Sequence, residues 1–230
     1  MTEGISGVPE DVQLAMVMDV LRGATENISI PISWLMIELA KNPDIQEQIY
    51  QQTKFLLSSV KPLSYKDIQQ QHYLKACLKE LFRTRPLNSF LMRKLSVDVD
   101  LHSGYQVPAG TMTFMLIQDY DKEKYFPDFE KWKPERWMKK RATKGSGGCP
   151  IGVKDEMVEK NTELPKFIVV PFGHGPRSCI GRRIGENLMT IYMMKLVNKY
   201  FIQPTREFDS YFNFFVKPKG QLRIRLEKRR

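Results

Sequence analysis

The sequence predicts a mainly α-helical domain that carries small β hairpins. Two long segments, at 10–39 and 180–200, place apolar residues at helical spacing. Elsewhere, short apolar runs are separated by Ser-Gly, Pro-Ala-Gly and Pro-Lys-Gly turns, a pattern typical of hairpins. The chain has 230 residues, of which 42% are hydrophobic, enough for one sizeable core. We therefore expect one continuous domain over residues 1–230.

Helix boundaries follow from caps and breakers. The first predicted helix covers Glu10–Leu39, with interruptions at Gly23 and Pro31, and a Lys-Asn-Pro stop follows at 41–43. Ser64 can cap a short helix at 65–71, with Asp67 three residues later completing a capping box. The other predicted helices are Pro43–Leu57, Gln70–Arg83 (ended by Pro86) and Ile180–Tyr200, the last with Ile184, Leu188, Ile191 and Met194 facing inward.

Strands are predicted in the middle of the chain and in its tail. Val97–Leu101 and Tyr105–Val107 should pair across a Ser-Gly turn, and Thr111–Ile117 should follow as a buried strand. In the tail, Phe212–Val216 and Leu222–Leu226 predict a hairpin joined by K-P-K-G-Q. Residues 120–137, rich in aromatics and proline, predict an ordered irregular segment. The polar stretch at 139–164 predicts a mobile surface loop.

The charge balance narrows the choice of partners. Lys and Arg number 36 against 26 Asp and Glu, a formal net charge of +10. Such a surplus fits nucleic acid, anionic lipid or an acidic protein. Because the sequence carries no nucleic-acid-binding signature, we expect an acidic protein partner and no nucleic acid. The three cysteines form neither an even disulfide framework nor a CxxC pair, which fits a reducing compartment. No apolar run is long enough to span a bilayer.

The most informative segment is F-G-H-G-P-R-S-C-I-G, from Phe172 to Gly181, which places Cys179 in a glycine-rich loop before a helix. The glycines, Gly173 among them, let the backbone turn tightly and approach a flat partner. The helix N-terminus and the neighbouring Arg177 favour a thiolate. The loop is therefore suited to hold a sulfur anion against a large planar ligand. A lone cysteine is otherwise often a buried core residue.

This string resembles the cysteine loop of the cytochrome P450 superfamily, the haem-thiolate monooxygenases. The residues that match the family's spacing are Phe172, Gly173, Gly175, Arg177, Cys179 and Gly181. The resemblance implies haem b as cofactor, with Cys179 as the axial ligand of its iron and Arg177 paired with a propionate. It also implies the carboxy-terminal half of the family's fold, from the central long helix through the cysteine loop to the terminal hairpin, with the amino-terminal half absent.

A second match lies upstream. Glu80 and Arg83 are three residues apart on a predicted helix and share a face. Alone, such a pair can be a solvated surface pair. In the family it is buried and is joined by an arginine of the irregular segment, here Arg136 of P-E-R-W, so that two guanidinium groups hold one carboxylate. The resemblance also suggests Arg93 as a second propionate partner, the alternative being a strand-edge arginine.

The oxygen side of the family's central helix presents an acid and a threonine to bound dioxygen. The best register places Glu26 at the acid position and Asn27 at the threonine position, so both are candidate catalytic residues. An amide can hydrogen-bond but cannot relay a proton as a hydroxyl does. Pro31 cannot donate to the Asn27 carbonyl, which predicts a kink and a free carbonyl there. Glu26 can equally be an acid on the helix surface.

The strings K-A-C-L-K-E-L-F-R and G-R-R-I-G-E resemble the mitochondrial class of the superfamily. That class receives electrons from an acidic ferredoxin, which implies docking on Lys75, Lys79, Arg182 and Arg183. Solvated helix charges are the alternative for these residues. The resemblance implies a location on the matrix side of the mitochondrial inner membrane, with peripheral membrane association. The runner-up is a microsomal-type enzyme of the endoplasmic reticulum that uses a flavoprotein reductase.

The implied function is haem-dependent hydroxylation of a lipophilic substrate, with sterols and steroids as candidates, using O2 and electrons from the ferredoxin. By family analogy, Leu87–Met92 and Asn213–Val216 would line the substrate pocket. The alternative is a non-catalytic truncated fragment of such an enzyme, a reading that Asn27 and the short length favour. Exposed apolar surface is then expected where the remaining half would pack.

Overall fold

The computed structural model describes residues 7–58, 61–117, 122–138, 165, 167–213 and 215–229. The predicted loop at 139–164 lies outside these residues. The helices are α1 (Glu10–Lys41), α2 (Pro43–Ser58), α3 (Tyr65–Gln69), α4 (His72–Thr84), α5 (Lys122–Tyr125) and α6 (Arg182–Lys199), with a 3-10 turn at Pro134–Trp137. The strands are β1 (Phe90–Lys94), β2 (Val99–Asp100), β3 (Gln106–Val107), β4 (Met112–Leu116), β5 (Tyr200–Pro204), β6 (Ser210–Asn213), β7 (Phe215–Pro218) and β8 (Ile224–Lys228). The predicted class, mainly α with small β hairpins, is confirmed.

The core lies where the second half of α1 meets α2, α4 and α6. Leu35 of α1, Ile49 of α2, Leu81 of α4 and Met193 of α6 are all fully buried. In α1 the buried residues begin only at Ile30. The preceding turns of that helix expose large apolar side chains over 12–21, which agrees with the exposed apolar surface expected from the sequence.

The first helix is continuous, although interruptions at Gly23 and Pro31 were predicted. A proline inside a helix removes one backbone hydrogen bond and crowds the preceding turn. The cost is offset because the chain after Pro31 packs into the core, where Trp34 and Leu35 are almost completely buried. Tertiary packing therefore overrides the local breaker signals. The predicted helices at 43–57 and 70–83 are confirmed, with ends shifted by at most two residues.

The short helix α3 shows the predicted capping box. The Asp67 backbone N–H donates to the Ser64 hydroxyl at 3.2 Å, and the Ser64 backbone N–H donates to the Asp67 carboxylate at 2.9 Å. Both bonds satisfy backbone groups that a helix start leaves without a partner. Hydrogen bonds from the Ser64 hydroxyl and backbone keep the pKa of the Asp67 carboxyl below its usual value.

Among the described residues, each sheet consists of two antiparallel strands. The predicted pairing of 97–101 with 105–107 is confirmed as β2 with β3. The predicted strand at 111–117 is present as β4, but it is not buried, since Met112, Phe114 and Met115 are all more than half exposed. Its partner is β1. This strand was not predicted, because Arg93 and Lys94 interrupt its apolar pattern.

The predicted tail hairpin between 212–216 and 222–226 is wrong. Instead β6 pairs with β7, while β8 pairs with β5, which follows α6 directly. The segment that was predicted to be one strand therefore contributes to two strands that pair with each other. Apolar runs alone do not mark where such a run folds back, and β5 lies too far from β8 in sequence for turn chemistry to reveal the pairing.

The buried face of α6 also differs from the prediction. Met194 is buried as expected, but Ile184 and Leu188 are exposed and Ile191 is only half-buried. The buried residues of the helix are Gly185, Met189, Thr190, Met193, Met194 and Val197. The helix carries two apolar stripes, and helical spacing alone does not decide which of them enters the core.

Candidate haem-binding site

The cysteine loop has a defined backbone. The Cys179 N–H donates to the Phe172 carbonyl at 2.8 Å, which closes the loop, and the Ser178 N–H donates to the Gly175 carbonyl at 3.0 Å. Gly173 and Gly175 have φ values of +69° and +79°, a region that side-chain-bearing residues rarely adopt. The loop thus needs glycine at both positions to present Cys179, which is exposed.

The helix that follows starts at Arg182, with Gly181 as its N-cap residue, rather than near Ile180. The first intrahelical bond runs from the Gly185 N–H to the Gly181 carbonyl at 2.8 Å. A Cβ at Gly181 would lie 3.8 Å from the Cys179 sulfur. The cysteine therefore sits beside the N-terminus of α6, where the helix dipole favours an anion.

An exposed apolar stripe begins next to the cysteine. Ile180, Ile184 and Leu188 follow one another at four-residue spacing and are 92%, 65% and 45% exposed. Ile184 and Leu188 are four apart on α6 and therefore lie on the same face, and Ile180 precedes the N-cap residue of that helix. An exposed thiol and an apolar face of this kind fit a flat, largely apolar ligand that binds through sulfur.

Two arginines lie beside the loop. Arg93 projects from β1, and its Nη2 is 3.5 Å from the His174 carbonyl. A Cβ added at Gly173 would lie 3.9 Å from the same nitrogen, so Arg93 reaches the loop closely. Arg177 belongs to the loop itself and is exposed. The fold therefore brings both candidate propionate partners to the cysteine loop, although they are far apart in sequence.

Glu80 lies at the centre of a hydrogen-bonded cluster and is completely buried. Arg83 donates to both of its carboxylate oxygens, with Nε 2.9 Å from Oε2 and Nη2 2.8 Å from Oε1. Arg136 donates through Nε to Oε1 at 2.9 Å. The structure thus brings together Glu80, Arg83 and Arg136, as predicted. The Arg83 guanidinium binds the carboxylate in the bidentate geometry that suits these two groups.

Two further donors complete the cluster and were not predicted. The Trp137 Nε1–H donates to Glu80 Oε2 at 2.8 Å, and the Lys133 backbone N–H donates to Oε1 at 2.9 Å. Both belong to the irregular segment around P-E-R-W, so the motif that pointed to Arg136 also contained the signal for Trp137. Together the contacts fix 131–137 against α4, since Arg83 also donates to the Lys131 carbonyl at 3.2 Å.

A groove of about 680 Å³ lies between α4, the cysteine loop and the start of α6. Of the four predicted docking residues, Lys75, Lys79 and Arg182 line it, and Arg183 is exposed at the start of α6. The Lys75 ammonium group donates to the Gln69 carbonyl at 2.8 Å, and Arg182 pairs with Glu186 at 3.1 Å. Part of this positive charge is therefore already paired within the chain.

The floor of the groove connects α4 to the cysteine loop through aromatic rings. The rings of Phe82 and Phe172 meet edge to face, with centroids 5.3 Å apart. The guanidinium of Arg182 lies 5.7 Å from the centroid of the Phe172 ring. Phe172 thus contacts a residue of each helix that flanks the loop, Phe82 of α4 and Arg182 of α6.

Glu26 and Asn27 are exposed on α1 and line a separate cavity of about 540 Å³. The Lys217 ammonium group of β7 lies 3.3 Å from Glu26 Oε1. A Cβ at Gly23 would be 3.8 Å from the Asn27 amide nitrogen, an ordinary van der Waals contact. The acid predicted from the sequence is therefore at a cavity wall, and it has an ion-pair partner that the sequence did not indicate.

The two segments expected to line a substrate pocket lie together. The Val216 N–H donates to the Leu87 carbonyl at 3.0 Å. The Val216 carbonyl accepts a hydrogen bond from the Trp34 indole at 3.0 Å. Leu87–Met92 and the hairpin of β6 and β7 are thus joined to each other and to α1.

Comparison with known proteins shows the family of the chain. The family model described as Cytochrome P450 matches residues 2–225. The chain belongs to the cytochrome P450 family. It is 30% identical over 213 residues to the protein named "Cytochrome P450 12b1, mitochondrial" of Drosophila acanthoptera, which covers 91% of this chain and 38% of that protein. It is 29% identical over 219 residues to the "Cholesterol side-chain cleavage enzyme, mitochondrial" of Hypanus americanus, covering 94% of this chain and 38% of that protein.

The chain spans about two fifths of the length of the curated relatives that it matches, for example 38% of "Cytochrome P450 CYP12A2" from Musca domestica. Haem with a cysteine thiolate ligand is the cofactor expected of a cytochrome P450. The residues present fit this group, because Cys179 is exposed, an apolar stripe adjoins it and two arginines reach the loop. Within the described part of the chain, no helix is both long and apolar enough to traverse a membrane.

Proposed function

We propose that this chain forms the haem-binding part of a monooxygenase that hydroxylates a lipophilic substrate. The observation that carries the proposal is the exposed Cys179, held by its backbone bond to Phe172 at the N-terminus of α6. Bound haem supplies an iron centre that activates dioxygen. Cys179 would ligate the iron, and Arg93 and Arg177 would pair with the propionates. The cluster around Glu80 would keep the irregular segment in place beneath the cofactor.

The electron donor in this proposal is an acidic ferredoxin. Lys75, Lys79 and Arg182 line one groove next to the cysteine loop, and Arg183 adds a further charge beside it. Opposite charges raise the rate of encounter and lose their effect as salt increases. The alternative donor is a flavoprotein reductase of a microsomal-type enzyme. The two donors are distinguished by measuring the affinity of each for the protein at increasing salt concentration. Affinity that falls steeply with salt for a two-iron, two-sulfur ferredoxin, but not for the reductase, would favour the ferredoxin.

The names of the relatives support a location and a substrate class. Several relatives carry a mitochondrial name, and one of them is named for cleavage of the cholesterol side chain. We therefore propose the matrix side of the mitochondrial inner membrane, with peripheral membrane association, and a substrate of the sterol or steroid kind. The segments Leu87–Met92 and Asn213–Val216 would supply part of the pocket wall.

The alternative function is a non-catalytic member of the family. The observation that favours it is the amide of Asn27, which cannot relay a proton, at the position where the family has a threonine. In the proposed enzyme, Glu26 and water would take over that role. Replacing Asn27 with Thr should raise the amount of product formed per electron consumed if the chain is catalytic.

The deciding experiment is the spectrum of the reduced, carbon-monoxide-bound protein. We expect the parent to bind haem and show the band typical of thiolate ligation, and we expect Cys179→Ala to lose that band. Cys77→Ala is the matched control, because Cys77 is fully buried in α4 and should not affect the spectrum. A parent that takes up no haem would support the non-catalytic alternative. An unchanged spectrum in Cys179→Ala would refute the proposed ligand.

A further inference from the structure

A cavity of about 980 Å³ lies where the end of α1, the start of α2, the end of α4 and the irregular segment 129–135 meet. It shares no lining residue with the groove beside the cysteine loop or with the cavity at Glu26. The proposed haem ligand, the donor surface and the candidate oxygen-side residues therefore all lie outside it. Its walls carry polar groups whose purpose the proposed function does not explain.

One buried donor in the wall lacks a partner. Trp132 lines the cavity and is 6% exposed, and among the described residues its indole N–H meets no hydrogen-bond acceptor. The other two tryptophans of the chain are paired, since Trp34 donates to the Val216 carbonyl and Trp137 donates to Glu80. Buried polar groups are nearly always hydrogen-bonded, because an unpaired one is costly. A ligand in this cavity that offers an acceptor would satisfy Trp132.

The start of α2 supplies further donors to the same cavity, which Asp44 and Ile45 also line. This helix has 16 residues, and the Gln46 N–H donates to the Asn42 carbonyl at 3.2 Å. The N–H groups of Asp44 and Ile45 precede that bond, so helix geometry leaves them without a partner inside the helix. Together with the helix dipole, such N–H groups favour an anion at the N-terminus.

The charges in the wall also favour an anion. Its basic side chains outnumber its acidic ones by two, with Lys41, Arg83, Arg85, Lys122, Lys131 and Lys133 against Glu38, Asp44, Glu130 and Glu135. The two arginines are held by buried or nearly buried carboxylates. The Lys41 nitrogen, in contrast, lies 3.1 Å from a Glu207 carboxylate that is 92% exposed, and Lys131 pairs with the half-exposed Asp128. Exposed pairs are weak, so these lysines can still bind an anion in the cavity.

We propose that this cavity binds a phosphate group. The Trp132 indole and the first N–H groups of α2 donate to its oxygens, and Lys41 and Lys131 supply the opposite charge. A phosphate presents several acceptor oxygens, so it can accept from α2 and from the irregular segment at once. The bound group would thus join α2 to a segment that the Lys133 backbone N–H already ties to Glu80. None of these donors belongs to the proposed haem site, so the inference stands apart from the proposed function.

The test is a titration of the isotope-labelled protein with inorganic phosphate, followed by nuclear magnetic resonance of the indole N–H signals. We expect the Trp132 signal to move downfield as its proton gains a hydrogen bond. The signals of Trp34 and Trp137 should stay in place, because both groups are already paired. Trp132→Phe assigns the signal that moves. Sodium chloride at the same ionic strength should move none of the three.

Lys41→Met should weaken phosphate binding by at least about tenfold, the value of a hydrogen bond to a charged group, and Lys41→Arg should restore most of it. Glu130→Gln should tighten binding, because it removes a like charge from the wall. The matched control is Lys195→Met, which removes an exposed lysine of α6 outside the cavity and should leave the affinity unchanged. The unmoved signals of Trp34 and Trp137 report that each variant is folded.

A Trp132 signal that stays in place at high phosphate, or that chloride moves equally, would overturn the inference. So would equal phosphate affinities of the parent and Lys41→Met. Parallel titrations with glycerol phosphate and adenosine monophosphate distinguish the sources of the group. Tighter binding of the first indicates a lipid headgroup, tighter binding of the second indicates a nucleotide, and tightest binding of inorganic phosphate indicates the free ion.

Discussion

Replacing Glu80 with Gln tests the buried cluster that holds the irregular segment to α4. The substitution keeps the shape of the side chain but removes its charge and turns one acceptor oxygen into a donor. The Arg83 guanidinium, only 4% exposed, would then lack its counter-charge. Both carboxylate oxygens accept hydrogen bonds, and Oε2 accepts them from Arg83 Nε and Trp137 Nε1. Whichever oxygen becomes the NH2 group of the new amide would face these N–H donors with a donor of its own.

The expected loss is large compared with the stability of a domain. Removing one partner of a buried ion pair costs about 3–5 kcal/mol, because the other charge remains buried without compensation. A typical domain is stable by about 5–15 kcal/mol in total. Glu80→Gln should therefore lower the free energy of unfolding by about 3–5 kcal/mol and, in the proposed haem protein, should reduce haem retention. Trp137→Phe removes a single bond to the carboxylate and should cost about 1.5–3 kcal/mol.

The assay is urea unfolding followed by circular dichroism, with midpoint and slope fitted for each variant. Glu186→Gln is the matched control: it also removes a carboxylate paired with an arginine, but that pair is exposed. An exposed pair contributes about 0–1 kcal/mol, so the control should stay close to the parent. If Glu80→Gln were as stable as Glu186→Gln, the cluster could not be the anchor that the contacts describe.

Three further outcomes are expected. Gln46→Leu should lower the free energy of unfolding by about 3 kcal/mol, because the fully buried Gln46 amide bonds both the N–H and the carbonyl of Ile202, at 2.9 and 2.8 Å. Burial raises the pKa of the Tyr73 phenol, so its contribution to stability should be complete below the unfolded value of about 10 and be lost as the pH rises above it. Burial also raises the pKa of the Cys77 thiol, so iodoacetamide should modify the exposed Cys179 of the haem-free protein well before Cys77.

Each of these outcomes has its own control. Gln51→Leu alters an exposed amide on the same helix as Gln46 and should change the free energy of unfolding by no more than about 0.5 kcal/mol. Tyr73→Phe should flatten the alkaline loss of stability, and an unchanged loss would exclude Tyr73 as its cause. Peptide mapping would show which thiol reacts, and equal rates for Cys77 and Cys179 would contradict the burial of the former.

Local chemistry was readable from the sequence wherever the interacting residues are close together in the chain. The capping box of Ser64 and Asp67 and the shared helix face of Glu80 and Arg83 depend on a spacing of three residues. Arg136 binds the same carboxylate from 56 residues away in the sequence, and this contact was inferred only from the family resemblance. No pattern indicated the pairing of Lys217 with Glu26, because it joins elements separated by 191 residues.

The errors came from choices that local patterns leave open. On α6, an isoleucine–leucine stripe and a methionine stripe compete for the core. The sequence reading favoured Ile184 and Leu188, whereas the structure buries Met189 and Met193. In the tail, the apolar run at 212–216 was long enough for one strand, yet its residues belong to two strands, β6 and β7, that pair with each other. Both decisions depend on distant packing partners, which single-segment reasoning cannot supply.

The methionine face of α6 has a consequence if the chain is part of the proposed monooxygenase. Met189, Met193 and Met194 are sealed in the core, and the Met36 sulfur accepts a hydrogen bond from the Tyr192 hydroxyl at 3.1 Å. Conversion of a thioether to the sulfoxide would place a polar, bulkier group among tightly packed side chains. An oxidant that reaches the protein from solvent would meet the exposed methionines of α1 and β4 first. Chemical ageing should therefore begin at the periphery and spare the interior until the fold opens.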